Sequence, residues 1–302
     1  MTFSFDDIPN LDSKVAIVTG SSTGMGLVTA RELAKKGCHV IMACRSRDKT
    51  IAAIAAIAKD APEAASKLDF MELNLMSLKS VFAFTEAFKA RKLPLHLLIN
   101  NAGILTPPFQ LSEDGIESQF ATNHVGHQAL TMALLPILET SAPSRVVVVS
   151  SLAHKMGVGR TGLDLDNINN AAKYSPSAWY GQSKLANVLF ARELSRQLRA
   201  RNVHNVHVNV VHPGLVSTDL GRHTSRLLLW VVSWFMSSAD DGAKTQLYVA
   251  TSPDVIQHNW HGKYFEPTAK LSETNAQGQD EQVGKTLWEF TEKLIAGKTG
   301  RQ

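Results

Sequence analysis

Tyr180 and Lys184 stand four residues apart in the stretch Ser177-Ala-Trp-Tyr-Gly-Gln-Ser-Lys184, followed by apolar residues at Leu185, Val188, Leu189, Ala191 and Leu194. That pattern reads as an amphipathic helix, on which residues four apart leave the same face one turn from each other. A phenol beside a fixed ammonium is a proton-transfer pair. The positive charge favours phenolate, so the expectation is a tyrosine pKa drawn down from about 10 towards working pH. Such a phenol can give or take a proton at a carbonyl or alcohol oxygen. Alone the pair is weak, because a packed tyrosine with a lysine reaching solvent has the same spacing. The elements that would hold it decide.

Those elements alternate. Strands are expected over Lys14–Gly20, His39–Cys44, Leu68–Leu73, Leu95–Asn101, Arg145–Ser151, His207–Pro213 and, more weakly, Gly262–Glu266. Helices are expected over Met25–Lys36, Lys49–Lys59, Val81–Lys89 and Gly242–Ala250, besides the one carrying Tyr180. The strand runs are apolar without a polar alternation, which points to strands buried on both faces, hence a parallel sheet covered by helices. The fold class is therefore α/β, a Rossmann-like doubly wound parallel sheet of seven strands with helices on both faces. With no internal repeat, low-complexity tract or linker, residues 1–302 read as one domain.

The first strand runs into Thr19-Gly20-Ser21-Ser22-Thr23-Gly24-Met25-Gly26 and then a helix. Glycines there allow a tight turn and close approach to a pyrophosphate, which the free N–H groups of a helix start attract. A plain tight turn would use the same residues, but position in the first strand–helix unit favours the phosphate reading. The second strand ends at Cys44-Arg45, where an NAD site would carry an acid. A guanidinium instead suits a 2′-phosphate, with paired hydrogen bonds. Arg45 therefore points to NADP(H) over NAD(H), whereas Arg47 and Lys49 read as solvated loop charges. Further along, Asn100-Asn101-Ala102-Gly103 closes the fourth strand, Asn123 sits inside a helix where its propensity is poor, and Ser150-Ser151 and His212-Pro213-Gly214 close the fifth and sixth. Strand carboxyl ends are where open α/β sheets bind ligands.

In this order, Thr19-Gly-x-x-x-Gly-x-Gly, Asn100-Asn-Ala-Gly, Ser151, Tyr180-x-x-x-Lys184 and Pro213-Gly214 resemble the short-chain dehydrogenase/reductase family, in its single-domain NAD(P)-dependent oxidoreductase branch. The resemblance runs from about Lys14 to about Ile295. It implies that Tyr180 is the general acid/base, that Lys184 lowers its pKa and bonds the nicotinamide ribose, and that Ser151 holds the substrate oxygen. Asn123 would position a relay water. Gly20, Ser22, Thr23, Gly24, Met25 and Gly26 would line the pyrophosphate and Arg45 the 2′-phosphate. Asn74 and Leu75 would flank the adenine, Asn101, Ala102 and Gly103 the ribose, and Pro213, Gly214, Val216 and Thr218 the nicotinamide end.

Two departures stand out. Asn74 replaces the family's usual Asp, a change expected to matter little because an amide oxygen still accepts from adenine. Ser151 and Tyr180 are also unusually far apart, and the added residues include a Gly/Asn-rich stretch, 157–176, expected beside the substrate mouth. This insertion, Gly242-Ala-Lys-Thr245 and Gly262-Lys-Tyr-Phe265 are most similar to the retinol-dehydrogenase-like and WW-domain-oxidoreductase-like subgroup. The apolar run Leu227–Met236 falls where the family places its variable substrate lid, at about 215–240 here, though a buried helix or a peripheral membrane contact would use the same composition.

Other classes are disfavoured. The net charge of +4 lacks a dense Lys/Arg block, so no nucleic-acid partner is expected. Cys38 and Cys44, about 20 Å apart along a strand, cannot form a disulfide, which suits an intracellular, cytoplasmic compartment. The N-terminus has no signal-like apolar core, and Leu227–Met236 is too short to span a membrane. The histidine pairs His124/His127, His204/His207 and His258/His261 lack partner ligands and read as packing or surface residues, with no metal. Family members include monomers and homodimers, and both remain open. The expected activity is NADP(H)-dependent hydride transfer between nicotinamide and a carbonyl or alcohol, on an apolar substrate. The alternative is an NADP(H)-binding sensor or scaffold with little turnover.

Overall fold

Val15-Ala-Ile-Val-Thr19 illustrates how the sheet forms: all five residues are buried, but successive side chains enter different cores. Ile17 faces one apolar cluster and Val18 the other. A computed structural model of the chain describes residues 3–214 and 237–300. In it the strands are β1 (Val15–Thr19), β2 (His39–Cys44), β3 (Leu68–Glu72), β4 (Leu97–Asn100), β5 (Ser144–Val149), β6 (Val206–Val211), β7 (Tyr264–Glu266) and β8 (Lys270–Ser272). The longer helices are α1 (Gly24–Lys35), α2 (Arg47–Asp60), α3 (Leu78–Ala90), α4 (Gly126–Thr140), α5 (Pro176–Ala200), α6 (Ala239–Thr251) and α7 (Glu281–Thr299).

The sheet order is 3-2-1-4-5-6-7-8, parallel throughout except for β8, which pairs antiparallel with β7. The seven expected strands are present, and β8 is an addition. One core packs α3, α4, α5 and α7 on the first face through Phe84, Leu134, Leu189 and Leu287. The other packs α1, α2 and α6 through Leu33, Ile57 and Leu247. Cys38 and Cys44 are both free and buried. None of the described helices is long and apolar enough to cross a membrane.

Two segments depart from plain helix and plain loop. The helix holding Asn123 starts as a short α turn, Ser118–Phe120, widens to a π turn over Ala121–Val125 and then continues as α4. Such π turns frequently coincide with functional positions. The insertion before α5 is folded rather than loose: Trp179 Nε1 donates to Ile168 O at 2.8 Å, the Tyr174 hydroxyl to Pro107 O at 2.7 Å, and Glu117 N to Asn169 Oδ1 at 2.8 Å. Leu215, Val216, Ser217, Thr218 and the run Leu227–Met236 lie outside the described residues.

Candidate active site

The Thr19–Gly26 turn is shaped by contacts only glycine permits. Gly20 has φ of +64°, and a Cβ on it would fall 2.9 Å from Ala102 Cα. A Cβ on Gly26 would fall 2.5 Å from both Gly20 O and Asn101 Nδ2. The turn and the Asn100–Gly103 loop therefore touch through bare backbone. Thr19 joins them: its Oγ1 accepts from Asn101 N and Ala102 N, both at 2.9 Å, while Asn101 Nδ2 donates to Thr19 O at 2.9 Å.

Beside this junction is a cavity of about 400 Å³. It is lined by Gly20, Ser22, Thr23, Gly24, Met25 and Gly26 from the turn, Arg45 from the end of β2, Asn74 and Leu75 after β3, and Asn101, Ala102 and Gly103 after β4. Twelve residues from four separated segments thus meet in one wall. Lys49 lines it as well, so the cavity has a second cation at the Arg45 end where solvated loop charge was expected. Arg47 instead lies over the Phe70 ring, 5.7 Å from its centroid. Ile104 and Thr122 also line it, and neither has a chemical signature in sequence. The glycine cradle and the start of α1 fit the pyrophosphate of a dinucleotide. Asn74 makes an Asx turn, its Oδ1 accepting from Met76 N at 3.1 Å, so only the second lone pair of that oxygen is free for an adenine.

Gly26→Ala tests the cradle. The added methyl has only backbone and Asn101 to push on, so the unfolding free energy should fall by about 2 kcal/mol. Dinucleotide affinity should fall at least about tenfold, roughly 1.4 kcal/mol. Denaturant melts and fluorescence titration check both, and wild-type values in each would rule out the close contact.

Gly103 joins this cavity to Asn123 and Lys184. A Cβ there would meet Asn123 Oδ1 at 3.2 Å and Lys184 Nζ at 3.4 Å. Lys184 is buried, its Nζ donating to Val149 O at 3.2 Å and lying 5.6 Å from the Tyr180 ring centroid. The Tyr180 hydroxyl hydrogen-bonds the Ser151 side chain. The two serines after β5 differ in availability: the buried Ser150 hydroxyl donates to Lys184 O at 2.7 Å, whereas Ser151 is partly exposed and caps a short 3₁₀ turn, Leu152–Lys155. Pro213 and Gly214 follow β6 and do not line the cavity.

The expected lowering of the Tyr180 pKa is corrected. Burial pushes it up to about 12, opposed only in part by the Ser151 hydrogen bond. Burial also pushes Lys184 down to about 8. Desolvation disfavours the charged form of both groups, and the ammonium points at a backbone carbonyl and the ring face rather than at the phenol oxygen.

Asn123 is held on all sides. Its Oδ1 accepts from Ile104 N at 2.8 Å, and its Nδ2 donates to Ile104 O at 3.1 Å and Ser183 Oγ at 2.9 Å. Its carbonyl accepts from His127 Nδ1 at 3.0 Å, and His127 Nε2 meets Thr19 Oγ1 at 2.9 Å. A carbonyl cannot donate, so Nδ1 carries the proton and Thr19 donates to Nε2. His127, expected to pack or to lie at the surface, thus ties Asn123 to the glycine turn. Any relay through Asn123 would have to use the remaining lone pairs of its oxygens.

The chain as a whole is similar to several known proteins. A short chain dehydrogenase profile matches residues 14–163. Retinol dehydrogenase 14 of Homo sapiens is 40% identical, covering 94% of this chain and 87% of its own. Short-chain dehydrogenase TIC 32 A, chloroplastic, of Brassica napus is 42% identical, covering 95% and 90%. A crystal structure of an uncharacterised protein from Mycobacterium paratuberculosis superposes with a TM-score of 0.79 at 34% identity, covering 98% of each chain.

Proposed function

Because this chain belongs to the short-chain dehydrogenase family, we propose that it is an NADP(H)-dependent oxidoreductase acting on a carbonyl or a primary or secondary alcohol of an apolar substrate. It is an oxidoreductase of that family, related to retinol dehydrogenases. The observation that supports the reaction best is Gly103, which borders the dinucleotide cavity on one side and Asn123 and Lys184 on the other.

The bound cofactor would supply or accept hydride. The chain's own residues handle the proton and the oxygen. With its pKa raised, Tyr180 is a neutral phenol at pH 7, the form that gives a proton to a carbonyl oxygen. Ser151, already bonded to that phenol, supplies a second hydrogen bond to the same oxygen as negative charge develops. Lys184 holds a positive charge behind them, and Asn123 braces the loop at Ile104. In the oxidative direction the same phenol must lose its proton first, so the Lys184 charge carries more of the burden.

Leu152 and Met156, 44% and 57% exposed, flank the turn that begins at Ser151. Large apolar side chains left in water beside a reacting oxygen favour an apolar substrate body, which would cover them. A panel of aliphatic, aromatic and retinoid-type aldehydes, ketones and alcohols, with NADPH or NADP⁺, tests the activity. Tight cofactor binding with no turnover on any of them would favour a sensor.

The cofactor preference rests on Arg45 and Lys49 in the cavity wall. NADPH should bind at least tenfold tighter than NADH, about 1.4 kcal/mol. Arg45→Asp should remove or invert the difference by placing a carboxylate where a ribose hydroxyl, but not a phosphate, is welcome. Equal affinity in wild type, or an unchanged preference in the variant, would overturn it.

A further inference from the structure

His154 lies three residues after Ser151, fully buried, and contributes two hydrogen bonds to the serine's carbonyl: its backbone N–H at 3.0 Å and its ring Nδ1 at 2.7 Å. The only other described tie on Ser151 within the turn is Ala153 N, which donates to its Oγ at 3.2 Å. The carbonyl is an acceptor, so Nδ1 carries the hydrogen and the neutral ring's Nε2 is a bare lone pair. Among the described residues that Nε2 is buried without a partner, and so is the hydroxyl of Tyr264, whose ring meets the imidazole edge-on at 5.2 Å between centroids. An orphaned buried nitrogen costs stability that a leucine or phenylalanine would not. The imidazole is therefore held at a cost, and among the described residues its only polar contact runs to the Ser151 carbonyl.

The turn is also pressed onto α5 directly beside Tyr180. A Cβ on Gly181 would fall 2.9 Å from both Ala153 O and Met156 O. Within a helix glycine is a poor choice, and this close approach accounts for it. Gly181 fixes the distance of the turn from the tyrosine's helix, and His154 fixes the serine within the turn. The other titratable groups near the imidazole are Lys155, Glu266 and His212. Burial keeps the ring's pKa low, against the pull of the Ser151 carbonyl.

We infer that His154 is a positioning residue, whose Nδ1–H clamps the Ser151 carbonyl and so aims the serine hydroxyl at the oxygen that Tyr180 protonates. This rests on the proposed oxidoreductase reading. The clamp needs the Nδ1–H donor and does not need Nε2. Asparagine places its amide nitrogen near the Nδ1 position, glutamine near the Nε2 position, and leucine supplies neither. The three variants therefore separate donor position from packing.

On any substrate that wild type turns over, His154→Gln and His154→Leu should lower kcat at least tenfold, with cofactor Kd within twofold of wild type. His154→Asn should stay within threefold in kcat, and His154→Leu should melt no lower than wild type. Retention of kcat by the leucine variant, or equal losses in Asn and Gln, would overturn the clamp. A second readout does not need turnover. In ¹⁵N imidazole spectra of wild type, assigned by difference against the variants, the His154 signal should show the Nδ1–H tautomer from about pH 6 to 8. An Nε2–H tautomer would overturn the inference in any case. Failure of wild type to turn over any of the panel, with the Nδ1–H tautomer present, would count against the oxidoreductase reading and leave the clamp standing.

Discussion

Tyr180→Phe should lower kcat by about 10²- to 10⁴-fold, the range that removal of a positioned proton donor produces, and leave the fold intact. The substitution deletes one oxygen. That oxygen's described partner is the Ser151 side chain, which keeps its bond from Ala153 N. The stability change should therefore stay within about 1 kcal/mol, and cofactor affinity should be unchanged because Tyr180 does not line the cavity. Steady-state kinetics on an accepted aldehyde, a thermal melt and a cofactor titration give the three quantities. Near-wild-type turnover would mean that another group moves the proton. A loss confined to KM would mean that Tyr180 binds substrate rather than reacting with it.

The raised pKa of Tyr180 adds a directional consequence. A phenol pushed up to about 12 is protonated throughout the physiological range. Carbonyl reduction, which starts from the protonated phenol, should show little pH dependence between about 6 and 8. Alcohol oxidation, which starts from the deprotonated one, should accelerate as the pH rises towards about 8, above which Lys184 loses the charge it contributes.

The same burial explains why the sequence led to the opposite expectation. Tyr180-x-x-x-Lys184 correctly places two groups on one helix face, but the spacing does not say how much water surrounds them or where the ammonium points. Lys184 Nζ finds Val149 O at the end of β5, a contact 35 residues away. The strands were readable because stretches such as Val146–Val149 are buried on both faces and need no polar alternation. β8 was not, since Lys270-Leu-Ser272 is three residues long, with Lys270 and Leu271 exposed, and follows from a turn after β7. The C-terminal α7 was equally quiet, because its buried positions are only Gly284, Leu287, Thr291 and Ile295. The cavity-lining turn was legible from its glycines. His127 and His154 were not, because their meaning lies in partners, Thr19 and the Ser151 carbonyl, that only the folded sheet ends bring within reach.

Lys184→Met should separate what the lysine does for the reaction from what it costs the fold. Turnover should fall at least about 100-fold, because the positive charge behind the reacting oxygen is lost. Stability at pH 7 should rise. Lys184 has its ordinary pKa of 10.5 in the unfolded chain and about 8 when folded, lowered by burial. Below pH 8 both states are charged and the folded one bears the full desolvation penalty, on the order of 3 kcal/mol. Between about 8 and 10.5 the unfolded chain holds the proton that the folded one has released, so wild-type stability climbs with pH through that window. Methionine matches the stem and carries no charge, so its advantage should be greatest near pH 7 and shrink towards pH 10.5. Val149 O does not become an orphan in the variant, since Asn187 Nδ2 also donates to it at 3.1 Å. Urea melts of both proteins at pH 7, 9 and 10.5 measure the effect. A variant less stable than wild type at pH 7 would show that Lys184 is held there by favourable contacts. A gain at pH 7 together with lost turnover would show a buried ammonium maintained against stability for its place beside Tyr180.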